Sequence, residues 1–126
     1  DRSFDFGMLI LGTDLGDRTG WHGLFSTTDD SILLRQRVNV TGYPGDKGGF
    51  QMWSHSDGVK SVTADNLYYD VDTYGGQSGS GVWSMFDEFQ GEKVCGVHTT
   101  GAAGGNGATR ISRWKFDLMV AWFQDY

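Results

Sequence analysis

The stretch Asp72-Thr-Tyr-Gly-Gly-Gln-Ser-Gly-Ser-Gly-Val-Trp83 sets Ser78 among small residues, in a turn whose backbone amides lie open. Attack on a carbonyl makes an oxyanion that needs N–H donors within hydrogen-bond reach, and side chains at Gly75, Gly76 and Gly79 would obstruct both backbone and substrate. Ser78 is therefore the candidate nucleophile, with the amides of Gly76 and Ser78 as candidate oxyanion donors. The same residues also suit a Gly/Ser loop without chemistry, so the loop has to be read with what surrounds it.

The surroundings are those of an all-β protein. The chain has 126 residues with 20 glycines and one proline, and it is rich in Val, Thr, Tyr and Trp. That mixture gives short strands joined by tight turns, and the length suffices for one core but hardly for two. Strands are expected near residues 4–11, 32–40, 50–56, 66–70, 81–85, 93–99 and 108–111, the first of them buried and followed by a polar, Gly-rich link. From 113 to 123 the apolar residues Trp114, Leu118, Met119, Ala121 and Trp122 recur at helical spacing, which predicts a terminal amphipathic helix packed on the strands.

Charge and composition narrow the function classes. The net charge is −6, and Lys and Arg are scattered rather than clustered, so nucleic acid is not an expected partner. No apolar run approaches the ~18 residues of a membrane span, and no signal peptide stands at the N-terminus, so the chain reads as processed and free of the membrane. Cys95 is alone and lies in the expected strand Val94-Cys-Gly-Val97. It reads as a small buried hydrophobe, with a bond to a second polypeptide as the other option. Asn39-Val-Thr41 is formally a glycosylation acceptor, but it falls in a strand. Asp14, Asp17, Asp29 and Asp30 lack the spacing of a calcium loop, and neither a metal nor a cofactor is expected.

Several segments recur in one order around the serine: Val40-Thr-Gly-Tyr-Pro-Gly-Asp46, Gln51-Met-Trp-Ser-His55, Tyr69-Asp-Val-Asp-Thr-Tyr-Gly-Gly76, Gly96-Val-His-Thr-Thr-Gly101 and Gly107-Ala-Thr-Arg-Ile111. Together they resemble the bacterial glutamyl endopeptidases, a family of the trypsin-like serine protease superfamily, from about Asp5 to the C-terminal helix. The resemblance implies a double β-barrel fold, a His/Asp/Ser triad, secretion, and cleavage after glutamate, less readily after aspartate. On that pattern residues 1–30 are the last strand of a first barrel plus the inter-barrel link. Residues 31–126 are then the second, trypsin-like antiparallel barrel of six strands with its C-terminal helix.

The same resemblance distributes the roles. Asp5, in Asp5-Phe-Gly-Met-Leu-Ile-Leu11, matches the segment that carries the triad carboxylate, whose task is to orient an imidazole and stabilise its cation. The triad histidine has no match. In the family it precedes the aspartate by several tens of residues, whereas here only four residues precede Asp5. His22 falls in the link and His55 at a structural strand position. The base is therefore expected from a missing N-terminal half or from a second polypeptide, in a two-chain molecule. His98 matches the histidine that binds the substrate's glutamate carboxylate, and Thr73 matches the threonine on the opposite pocket wall. Thr99, Thr100 and Gly101 match the rim strand on which substrate pairs by β-addition. Asp72 adjoins Thr73, and if its carboxylate entered the pocket it would disfavour glutamate. The implied protein is a secreted serine endopeptidase acting on peptides or proteins with acidic residues. The alternatives are a non-catalytic trypsin-fold homologue acting as a protein-binding module, and a trypsin-fold esterase or protease of other specificity.

Overall fold

The structure, a computed structural model, describes residues 2–70, 77–89, 91–102 and 105–126. In chain order its main elements are α1 (Gly16–Thr19), β1 (Gly23–Leu24), α2 (Asp30–Leu34), β2 (Arg37–Gly42), β3 (Trp53–Val62), β4 (Asn66–Tyr69), β5 (Gly81–Phe86), β6 (Gly91–Ala102), β7 (Gly105–Arg110) and α3 (Arg113–Asp125). Short 3-10 turns at Arg2–Phe4, Gly45–Lys47 and Asp87–Phe89 complete the list.

Sheet order is β1-β6-β5-β2-β3-β4-β7, and β7 pairs back onto β6, so six antiparallel strands, β2 to β7, close into a barrel. The two-residue β1 is added in parallel beside the start of β6, with Gly23 opposite Lys93. Side chains alternate across each strand, and the inward set makes the core. Val38 and Val40 from β2, Leu67 and Tyr69 from β4, and Val82 from β5 are fully buried. Phe86, Cys95 and Ala108 join them. Close approach is built in at Gly96, where an added Cβ would stand 3.1 Å from Ala108 Cβ and 3.2 Å from Leu67 Cδ1.

Three expectations change. Residues 5–11 form no strand, and Phe4, Leu9 and Leu11 are exposed. With β6 paired to β7, the stretch of β6 at Lys93 and Val94 is taken by β1, and residues 5–11 pair with no described strand. The segment lies instead on α3, with Phe4 and Phe6 against Trp114 at ring distances of 5.5 and 5.9 Å. Second, the start of the expected 32–40 strand is helical, because Asp29 accepts from Ser31 N and caps α2. The strand proper begins at Arg37. Third, α3 turns Lys115 and Met119 inward while Trp114 and Ala121 stay exposed. Lys115 Nζ finds Arg110 O at 3.1 Å and Asp65 at 3.4 Å, which satisfies a cation that burial would otherwise penalise. Burial lowers its pKa, and the charge of Asp65 opposes that shift.

Part of the expected link also belongs to the barrel. Phe25 N donates to Val94 O at 2.8 Å, and its buried ring stacks on Phe86 at 4.0 Å. Buried Arg110, at the end of β7, ties this region down by donating to Thr27 O and Thr63 O and pairing with Asp30 at 2.8 Å.

Candidate active site

Ser78 is exposed and heads a tight turn in which Ser80 N donates to Gln77 O at 3.0 Å. Gly79 follows with φ +88°, a conformation that suits glycine. Two main-chain bonds fasten the turn to β6: Gly79 N donates to His98 O at 2.7 Å and His98 N donates to Ser80 O at 2.9 Å. On its other flank the turn presses on β2, where an added Cβ at Gly42 would run into Ser80 Oγ and lie 3.6 Å from Gln77 Cγ. The turn thus bridges β6 and β2, and small residues are required where it does so. Ser78 Oγ donates to Thr99 O at 3.1 Å, and no described carbonyl accepts from the Ser78 amide. Gly76, Thr73 and Asp72 lie outside the described residues.

His98 is 3% exposed, and its Nδ1 lies 2.7 Å from the hydroxyl of fully buried Tyr69. Desolvation alone lowers its pKa, so the ring is held neutral rather than readied for protonation. Burial likewise raises the Tyr69 phenol, with Cys95 as the smaller cause. Tyr69 carries no mark in the sequence beyond strand alternation, which turns it inward as it does Leu67.

Thr99 is buried, with Oγ1 3.4 Å from Gly107 O. Beyond it the backbone pairs Thr100 with Gly107 and Gly101 with Asn106 on the β7 side. On the β5 side pairing stops at Gly81 opposite Val97, so β6 runs on past its neighbour toward the Ser78 turn.

Asp5 takes part in none of the bonds given above for the Ser78 turn. It is exposed between Phe4 and Phe6, whose rings pack on α3, and no histidine hydrogen-bonds to it or pairs with it among the described residues. His22 pairs with Glu92 at 3.7 Å and stacks on Trp83, well within the outer face of β5 and β6. His55 is exposed opposite Val40 in the β2–β3 ladder. It helps line a hollow of about 190 Å³ with Pro44, Asp46, Lys47, Trp53, Ser54 and Gln77, directly behind the serine turn.

Cys95 is 2% exposed, donates to Val82 O at 3.4 Å, and has its thiol pushed up to about 12 by burial. Asn39 is half-buried and spends its amide on Trp83 O at 3.3 Å. Asp29 caps α2 and Asp30 pairs with Arg110. Among the described residues no group of three or more His, Cys, Asp or Glu is gathered to hold a metal ion. Among the described residues no helix is long and apolar enough to cross a membrane.

No family model matches the chain. Curated proteins do. A glutamyl endopeptidase of Bacillus licheniformis is 37% identical over 126 residues, covering 95% of this chain and 39% of that protein. An extracellular metalloprotease of Bacillus subtilis is 34% identical over 122 residues, covering 97% of this chain and 38% of that protein. A glutamyl endopeptidase of Staphylococcus aureus is 36% identical over 80 residues, 63% of this chain. The chain therefore spans about two fifths of the length of the first two. Among solved structures, a Glu endopeptidase in complex with MPD superposes with a TM-score of 0.76 at 26% identity, over 90% of this chain and 52% of that one. The closed barrel with its C-terminal helix is thus a trypsin-like barrel.

Proposed function

The chain belongs to the bacterial glutamyl endopeptidase family, matching its C-terminal half, and on that basis we propose that it is the nucleophile-bearing part of a secreted serine endopeptidase that cleaves after glutamate and less readily after aspartate. The observation that carries this reading is the pair of main-chain bonds by which Gly79 and Ser80, in the Ser78 turn, join the backbone of His98. In the proposed reaction Ser78 Oγ leaves Thr99 O, passes its proton to a histidine base and bonds to the scissile carbonyl carbon. The amides of Gly76 and Ser78 hold the oxyanion, a role supported by the Ser78 amide, from which no described carbonyl accepts. The imidazolium then protonates the departing amine, leaving an acyl ester on Ser78 that water hydrolyses by the reverse proton path.

His98 and Thr73 would select the acidic side chain, and the run of β6 through Thr99, Thr100 and Gly101 would pair with the substrate backbone. The base itself would come from a preceding segment or a second polypeptide carrying a first barrel, with Asp5 orienting it once that barrel is in place. The exposed apolar side chains of residues 4–11 support such a neighbour. In this scheme residues 1–22 belong to the first barrel and the link, whereas Phe25 already belongs to the second.

One observation favours a second reading, a non-catalytic binding module. Ser78 Oγ donates to a carbonyl, and among the described residues no histidine hydrogen-bonds to it. The test is to produce the chain with the N-terminal portion that the longer relatives have, and to assay Glu, Asp, Lys and Phe peptide substrates side by side. Cleavage after Glu that falls by roughly 10⁴-fold or more in Ser78→Ala is expected. Equal cleavage with and without the Ser78 hydroxyl, or none by either protein, would overturn the proposal. Intact mass under reducing conditions reads whether a second polypeptide accompanies the chain.

A further inference from the structure

Tyr69 and His98 come from β4 and β6, the two strands that flank β7, and meet inside the barrel. A 2.7 Å contact between a phenol and an imidazole nitrogen allows either partner to donate. The surroundings decide which. Both residues are at least 97% buried, and desolvation holds both neutral, so the ring carries a single proton. If Nδ1–H donated, the phenol hydrogen would need another acceptor inside an apolar core. Among the described residues the Tyr69 hydroxyl has no other hydrogen-bond partner. The phenol therefore donates, Nδ1 accepts, and the ring proton resides on Nε2.

We propose that Tyr69 is a positioning residue: by donating to Nδ1 it fixes His98 as the Nε2–H tautomer, so that the neutral ring presents a hydrogen-bond donor to an acidic side chain. This rests on the reading of His98 as the carboxylate ligand and says how that ligand works. The other neutral tautomer would aim a lone pair at the carboxylate and repel it. Because the two ring nitrogens face nearly opposite ways, tying Nδ1 to the core turns Nε2 away from Tyr69, on the residue whose backbone brackets the Ser78 turn. Among the described residues, the groups set against His98 are Tyr69 from β4, Gly79 and Ser80 of the turn, and Ala108 across on β7. None of these described groups carries a charge at neutral pH, and desolvation is the cause of the His98 shift. Recognition of the acid accordingly persists above the pKa of the ring.

The experiment compares Tyr69→Phe and His98→Gln with the parent in the complete enzyme, using peptides that differ only in Glu or Gln at the cleaved residue. The His98 tautomer is read by ¹⁵N NMR in a Ser78→Ala background. The parent should show Nε2–H. Tyr69→Phe should populate Nδ1–H and lower the Glu-to-Gln ratio of kcat/KM about ten- to hundred-fold, the range of one hydrogen bond to a charged group, chiefly through KM. An Nδ1–H tautomer in the parent, or a Tyr69→Phe enzyme with both tautomer and ratio unchanged, overturns the proposal. A His98→Gln enzyme that keeps its preference for Glu overturns the reading of His98 as the ligand instead. The parent spectrum alone still reads the Tyr69 bond if Tyr69→Phe fails to fold.

Discussion

Replacement of Phe25 by alanine should destabilise the barrel as much as a central core deletion, although residue 25 lies in what the sequence reads as a link. Phe25 is 6% exposed, so nearly all of its side chain has left water. Phenylalanine buries roughly 200 Å², of which the ring lost on truncation accounts for about 120 Å². At about 25 cal/mol per Å² that is ~3 kcal/mol. The 4.0 Å stack on Phe86 adds about 1 kcal/mol, giving ~4 kcal/mol, within the usual range for burying and then deleting a phenyl ring. With a urea slope of ~1.5 kcal/mol per molar, the unfolding midpoint followed by circular dichroism should fall by between about 2 and 3 M. Phe89 provides the control. Its ring lies 5.1 Å from Phe25, but it is 40% exposed, so Phe89→Ala should cost about 2 kcal/mol, half as much. If Phe25→Ala costs less than about 1 kcal/mol, or no more than Phe89→Ala, residues 23–25 are outside the cooperative unit and the reasoning fails.

Two further outcomes are expected. Native Cys95 should resist alkylation by iodoacetamide at pH 8 and react on unfolding, because it is buried with its thiol pushed up to about 12; equal rates in the native and unfolded states would contradict this. His98 has its folded pKa depressed below the unfolded value of 6.5, so the unfolded chain binds the extra proton first. Its contribution is fully present above pH 6.5 and is lost as pH falls toward the folded value, by at most about 1.4 kcal/mol per pH unit. Urea midpoints between pH 7 and 5 should therefore fall more steeply for the parent than for His98→Gln, and parallel curves would refute it.

Much of the barrel could be read along the chain because strands announce themselves by alternation. The expected 66–70 and 81–85 segments lie within a residue of β4 and β5, and inward Leu67, Tyr69, Val82 and Phe86 follow from period two. Ser78 was legible from the glycines around it, since a turn that must press against Gly42 on one side and β6 on the other tolerates little else. Errors arose where two local signals competed. Ile32-Leu33-Leu34 is apolar enough for a strand, and the Asp29 cap, a matter of one side-chain bond, tips it to a helical turn.

What the sequence by itself determined is most of the barrel strands, the turn at Ser78 and the family pattern, because these depend on neighbours a few residues apart. What only the tertiary structure decided is which distant residues meet. Barrel closure through β6–β7, with β1 beside the start of β6, leaves residues 5–11 to lie on α3. It brings Lys115 to Asp65, Arg110 to Thr27, and Phe25 to Phe86. It also sets Tyr69 against His98, 29 positions apart. No local rule links a strand tyrosine to a histidine two strands away. Hydrogen-bond direction inside a water-free core is fixed by who else is there to accept, and that is known only once the barrel is closed.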